Sequence, residues 1–287
     1  MAEQIIIKNN DISAVISTMG AELCSIKNTK GTEFIWQGDE NFWMGHSPVL
    51  FPICGGLKDD KYILEGKEYT LDKHGYARFT EFECILKEES KAVFSLKSNA
   101  ESLKSYPYEY DFRITYEVVS NTLKVIYEIE NKTDKIMYTS FGAHEGYACP
   151  EGIEDYEIVF DKEETLGTCT LAGSILDGNT KRILDCGKVL KLNYDYFATD
   201  ALVFKNLNSK GATLRKCNGT KECHVDFEGF NYFLLWTKPD AKYICLEPWC
   251  GIHDDVNSDY DITKKEGIEK IAPKDTISRT HIVTVKD

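Results

Sequence analysis

No run of apolar residues in this chain of 287 approaches the roughly 18 that a spanning helix needs, and stretches such as Phe233-Leu234-Leu235-Trp236 end within a few positions. No membrane partner is therefore expected. The first residues, Met1-Ala2-Glu3-Gln4-Ile5-Ile6-Ile7-Lys8, lack the basic start and long apolar stretch of a secretory signal, which makes a cytoplasmic location the expectation. A basic surplus is missing too. With 34 Lys and Arg against 47 Asp and Glu, the formal charge of −13 repels phosphate backbones, so nucleic acid is not expected as a partner. No Cys-x-x-Cys pair occurs among the ten cysteines; the nearest spacings are Cys217 to Cys223 and Cys245 to Cys250. They read as free, mostly buried thiols, with no disulfide framework and no structural metal. What is present, 42% hydrophobic and 12% aromatic residues, is enough for a large core and rules out disorder as the main state.

Helical periodicity is scarce. Short helices are expected only at Ala100 to Ser105, stopped before Pro107, and at Lys265 to Ile271, stopped before Pro273. Period-two alternation instead recurs from end to end, as in Ile12, Ala14 and Ile16, in Leu123, Val125, Tyr127 and Ile129, and around Ile282 to Lys286. Further β-rich runs are Phe79 to Leu86, Ala92 to Leu96, Phe112 to Val119, Tyr156 to Phe160, Ala201 to Phe204 and Tyr232 to Trp236. The expected fold is all-β, a large β-sandwich with few short peripheral helices. No linker, charge block or repeat divides it, so residues 1–287 are read as one domain.

Three segments set titratable residues among Gly, Pro and aromatics rather than on plain alternating strands. They are Ser47 to Gly56 followed by Lys73-His74-Gly75-Tyr76-Ala77-Arg78, then Phe141-Gly142-Ala143-His144-Glu145-Gly146-Tyr147, then Ile244-Cys245-Leu246-Glu247-Pro248-Trp249-Cys250-Gly251. His74, His144 and Glu247 offer two imidazoles and a carboxylate beside flat aromatic surfaces, a set suited to acid–base work on a ring-shaped polar ligand. Each also has an ordinary reading: His74 and His144 as turn or surface residues, and Glu247 as half of a buried ion pair.

Taken together, and in order, these segments resemble the aldose 1-epimerase (galactose mutarotase-like) superfamily, in particular its branch of lactose-operon-associated epimerase-like proteins. Gly20-Ala21-Glu22-Leu23, Ile35-Trp36-Gln37-Gly38-Asp39, Ser47 to Pro52, His74 to Arg78, Phe141 to His144, Asp200 to Phe204, Leu246 to Gly251 and Lys265 to Ile268 carry the resemblance over nearly the whole chain. It implies a β-supersandwich and residue roles: His144 as general acid, Glu247 as general base, His74 as a second, substrate-contacting histidine, with Arg78, Asp200 and Trp249 as substrate-binding positions. One departure stands out: Gly56 occupies a position where several members carry Arg, and Lys58 is the nearest replacement.

The implied chemistry is interconversion of α and β anomers of a free aldohexose. A base takes the C1 hydroxyl proton while an acid protonates the ring oxygen, and no cofactor, metal or covalent intermediate is required. That assignment needs Glu247 charged and His144 protonated, with Glu145 as a nearby acid able to favour the imidazolium. Trp249, Tyr76 and Phe141 are the candidate apolar faces for the sugar. The rival functions are an epimerase for hexose 6-phosphate and a non-catalytic sugar sensor that keeps the fold; a monomer or homodimer is expected. Two further motifs are set aside. Asp255 to Asp261 with Glu266 approximates a calcium loop, but Tyr260 replaces the required Gly. Cys149, in Tyr-Ala-Cys-Pro, has no identifiable base or oxyanion donor.

Overall fold

Alternating apolar residues can form a stable structure only if the strands that carry them share a buried face, and the chain satisfies this with one very large sheet. The computed structural model describes residues 2–287 and is 53% strand and 7% helix. Fourteen strands join one sheet. It runs from Tyr243–Cys250 through Tyr232–Trp236, Leu202–Lys205, Tyr156–Ala172, Gly211–Lys216, Glu222–Asp226, Thr276–Lys286, Thr122–Asn131, Tyr110–Val119 and Lys91–Lys97 to Glu83–Lys87. All these pairings are antiparallel. Leu123, Val125, Tyr127 and Ile129 are buried, and the residues between them are only partly so. A second, three-stranded sheet of Gln4–Lys8, Ile12–Ser17 and Leu23–Asn28 turns Ile5, Ile7, Ile12, Ala14 and Ile16 into the same core.

Three local expectations fail for identifiable reasons. Lys265 to Ile271 is not a helix: a 3-10 turn at Ile262–Lys264 is followed by the strand Glu269–Ile271, which pairs with Met137–Thr139. Gly267 at φ 71° turns the chain there, and the cross-strand partner outweighs a weak local preference. Phe79 belongs to a 3-10 turn, Ala77–Phe79, and its strand begins only at Glu83. Ala100 to Ser105 shrinks to one helical turn, Ser102–Ser105. The largest departure in length is a hairpin of two 17-residue strands, Tyr156–Ala172, of which Tyr156 to Phe160 was expected, and Ile175–Lys191, which was not.

Candidate active site

Strand register, rather than loop geometry, brings His144 and Glu247 together. Phe141–Gly142 and Glu145–Ala148 both pair with Tyr243–Cys250, with Gly142 opposite Trp249 and Glu145 opposite Leu246. Counting inward from either end places His144 opposite Glu247, so the two side chains leave the sheet on one face. The ladder lapses there because Pro248 has no N–H to donate, although its carbonyl still accepts from Ala143 N at 3.1 Å. His144 Nε2 lies 3.4 Å from Glu247 Oε2. Neither Glu247 Oε2 nor His144 Nδ1 has a hydrogen-bond partner, although both are buried.

Above this pair opens a cavity of about 260 Å³ lined by Trp43, His74, Arg78, His144, Asp200, Trp249 and others. All six residues singled out in the sequence, His144, Glu247, His74, Arg78, Asp200 and Trp249, line it. The volume suits one small polar ring and is below the ~300–1,000 Å³ typical of drug-sized sites. His74 sits at φ 70° ahead of Gly75, and its ring is clamped: His74 N donates to Gly55 O at 2.9 Å, and Gly55 N donates to His74 Nδ1 at 3.1 Å. An accepting Nδ1 puts the proton on Nε2, so His74 offers the cavity a donor. Trp249 donates its indole N–H to Ala143 O at 3.1 Å, and its ring meets those of His74 and His253 at 5.3 and 5.4 Å.

Burial dominates the electrostatics. It pushes the Glu247 carboxyl well above the usual carboxylate range, with Lys73 opposing and Asp200 reinforcing the shift. It pulls His144 down to about 3, His253 down to about 3 and His74 well below the imidazole range. Burial thus opposes both charged forms of the pair, the Glu⁻ and HisH⁺ arrangement expected from the sequence. Glu145 does not correct it, because its side chain faces the opposite side of the sheet, where Oε1 lies 2.8 Å from His281 Nε2. The cations are few. Lys73 pairs with Asp200 at 3.8 Å, and Arg78 gives Nη2 to Lys73 O at 2.9 Å while its buried Nε is unpartnered.

A profile described as aldose 1-epimerase matches residues 3–256. The chain belongs to the aldose 1-epimerase family. Protein LacX, plasmid, from Lactococcus lactis subsp. lactis is 33% identical over 97% of this chain and 98% of its own. Among solved structures, a galactose mutarotase related enzyme from Lactobacillus acidophilus is 32% identical with TM-score 0.94, covering 99% of this chain and 97% of its own. A galactose mutarotase-like protein from Lactobacillus casei ATCC 334 is 28% identical, also with TM-score 0.94, covering 99% and 100%.

Within this epimerase fold the Gly56 departure has a structural cause. A Cβ on Gly56 would lie 2.6 Å from Ser174 O, at the tip of the long hairpin, so no side chain fits there. Gly56 N instead meets His253 Nδ1 at 3.1 Å, and that nitrogen also lies 2.9 Å from Ser174 O. Lys58 does not substitute for the arginine: Nζ donates to Ser258 O and lies over the Tyr260 ring. Tyr76 and Phe141 are not faces of the cavity, since Tyr76 hydrogen-bonds Tyr110 and Phe141 is fully buried in the main core. The apolar walls beside Trp249 are Trp43 and Trp236, whose rings pack on His144 at 5.3 and 5.6 Å. Sequence reading missed both, along with His253. The signal available was the period of two: Trp236 is two residues beyond Leu234, itself opposite Glu247, whereas nothing local marks Trp43.

Elsewhere, all ten cysteines are free thiols, and burial raises the pKa of Cys149 far above the thiol range. The carboxylates of the calcium-like loop have local partners: Asp255 caps Asn257, Asp259 pairs with Lys264, and Glu266 pairs with Lys205. A larger cavity of about 610 Å³ shares no lining residue with the first and contains no histidine. No helix among the described residues is long and apolar enough to cross a membrane.

Proposed function

We propose that the protein is an aldose 1-epimerase that interconverts the α and β anomers of a free hexose, with His144 and Glu247 as the proton-transferring pair. The observation that carries this reading is their cross-strand opposition at 3.4 Å on the floor of a cavity sized for one sugar ring. Mutarotation requires one proton to leave the C1 hydroxyl and another to reach the ring oxygen; after rotation about C1–C2 the transfers reverse. A pair that shares a single proton does both without a net change of charge. The resemblance implies Glu247 as base and His144 as acid, which requires the proton to move to the imidazole once sugar is bound. Sugar hydroxyls that donate to Glu247 drive that shift, because they supply the hydrogen bonds an ionised buried carboxylate otherwise lacks.

Around the pair, His74 offers Nε2–H, Arg78 its guanidinium and Asp200 its carboxylate, a set suited to sugar hydroxyls. Trp43, Trp236 and Trp249 offer surfaces to the C–H faces of the ring. A pure binding protein has no need of a donor opposite an acceptor, which favours catalysis over the sensor reading. The experiment is polarimetry on freshly dissolved α-anomer. Glu247→Gln and His144→Ala each lower the enzymatic rate by ~10²–10⁴-fold with the fold intact. Wild-type rates in either variant would sink the assignment. His74→Ala raises KM more than it lowers kcat.

A further inference from the structure

Beyond the acid–base pair, one buried side chain beside it has no part in proton transfer. Cys245 lies two residues before Glu247 on Tyr243–Cys250, so its thiol leaves the sheet on the same face. Its cross-strand neighbour on one side is Gly146, which has no side chain to cover it, and on the other is Trp236. The three donor atoms of His144, Cys245 and Glu247 all lie within 4.8 Å of one another.

We propose that His144, Cys245 and Glu247 form an inhibitory binding site for zinc, which occupies the acid–base pair in place of its proton. Imidazole nitrogen, thiolate sulfur and carboxylate oxygen are the ligands zinc takes, with bonds of about 2.0–2.3 Å. Tetrahedral coordination separates such donors by about 3.3–3.8 Å, so the site closes by about 1 Å through side-chain rotation. The His144–Glu247 edge is already 3.4 Å. Glu247 Oε2 is buried and has no hydrogen-bond partner, so no existing bond is lost when it ligates. Charge balances as well: zinc's two positive charges meet one thiolate and one carboxylate, so the buried assembly is neutral. Two protons leave to solvent on binding, one from the thiol and one from the shared pair. The fourth coordination position is left to water. Cys186 and Cys217 are exposed and have no comparable set of partners.

The inhibitory consequence rests on the epimerase reading, whereas the metal site itself does not. In chelator-treated protein, added zinc lowers the mutarotation rate, the inhibition is competitive with sugar, and EDTA restores it. Cys245→Ala keeps the metal-free rate and needs at least roughly tenfold more zinc for the same inhibition, since even outer partners of metal ligands are worth about 10–100-fold in affinity. Cobalt(II) provides a readout independent of activity. Wild-type protein gains a thiolate-to-cobalt charge-transfer band that Cys245→Ala lacks, over a background from Cys186 and Cys217 common to both. If Cys245→Ala does not fold, His144→Ala replaces it in the cobalt measurement, where the band is lost or weakened. Equal zinc sensitivity in Cys245→Ala and wild type, or cobalt spectra that do not differ, overturns the site. A protein without mutarotase activity that still shows the Cys245-dependent band refutes the epimerase reading and leaves the metal site standing.

Discussion

Burial pushes the Glu247 carboxyl above its ordinary range, and that has a measurable consequence for stability. Its folded-state pKa is raised by burial, so folding takes up a proton at any pH above the free carboxyl range, and raising the pH therefore works against the fold. The penalty grows by at most ~1.4 kcal/mol per pH unit until the folded carboxyl itself ionises. Glu247→Gln abolishes it. The variant is thus inactive but melts higher than its parent at pH 8, and the gap narrows as pH falls toward 4.5. Parallel melting curves across that range would sink the claim. His144 gives the opposite sign: its depressed pKa, about 3, removes stability only as pH falls below the ordinary imidazole range. In kinetics the depressed pKa of His144 puts the acid limb of kcat/KM far below the ~6.5 of an unperturbed histidine. An acid limb at that value would show that burial does not depress His144. These two residues were legible because their local strings are unusual. Cys245, Trp236 and His253 were not, since each sits in a string that an ordinary core strand or turn would also contain; Cys245 and Trp236 reach the site through register, and His253 through the segment after Cys250 that is held against the hairpin tip.

At the level of elements, the long hairpin lies behind the cavity, against the segment that supplies His253 to its lining. Leu176 N donates to Asp254 O and Val256 N to Leu176 O, which fixes the hairpin tip against the segment carrying His253. Gly56→Ala puts a methyl 2.6 Å from Ser174 O and 2.9 Å from Ser174 Cβ. Relieving such a clash in a packed site costs ~1–3 kcal/mol, a fall of several degrees in Tm for a chain of this size. Unchanged melting would mean that the tip yields freely. The hairpin also shows where reading by alternation stops. In Ile175–Lys191 only Leu176 and Leu190 are buried, and the stretch between has no apolar face to betray a strand. The strands whose one face meets the core, such as Thr122–Asn131, declare themselves; those that project past it do not. Lys265 to Ile271 failed for the complementary reason, a distant partner at Met137–Thr139 that no local window contains.

For the molecule as a whole, charge bears on the proposed choice between a free and a phosphorylated sugar. The chain carries −13, and the cavity contains Lys73 paired with Asp200, Arg78, and three imidazoles that burial holds neutral. Arg78 is then the one cation on its lining without a carboxylate partner, too little for a buried dianion that an arginine fork would ordinarily bind. Free galactose or glucose is accordingly turned over at least about tenfold faster than glucose 6-phosphate at equal concentration, a difference of about 1.4 kcal/mol. The neutral sugars' kcat/KM stays flat with added salt, while that of the phosphate rises as the repulsion is screened. A tenfold preference for the phosphate would show that the cations are underestimated.

Because the proton pair is set by the pairing of two neighbouring strands, its geometry is insulated from the loops that form the cavity's rim. The segment with Trp43, the turn with His74 and the loop with Asp200 approach from outside that ladder. Rim segments can therefore diverge, or be exchanged by design, to admit a different sugar while the reactive centre is inherited unchanged; choice of substrate and capacity for chemistry are separately heritable traits of this architecture.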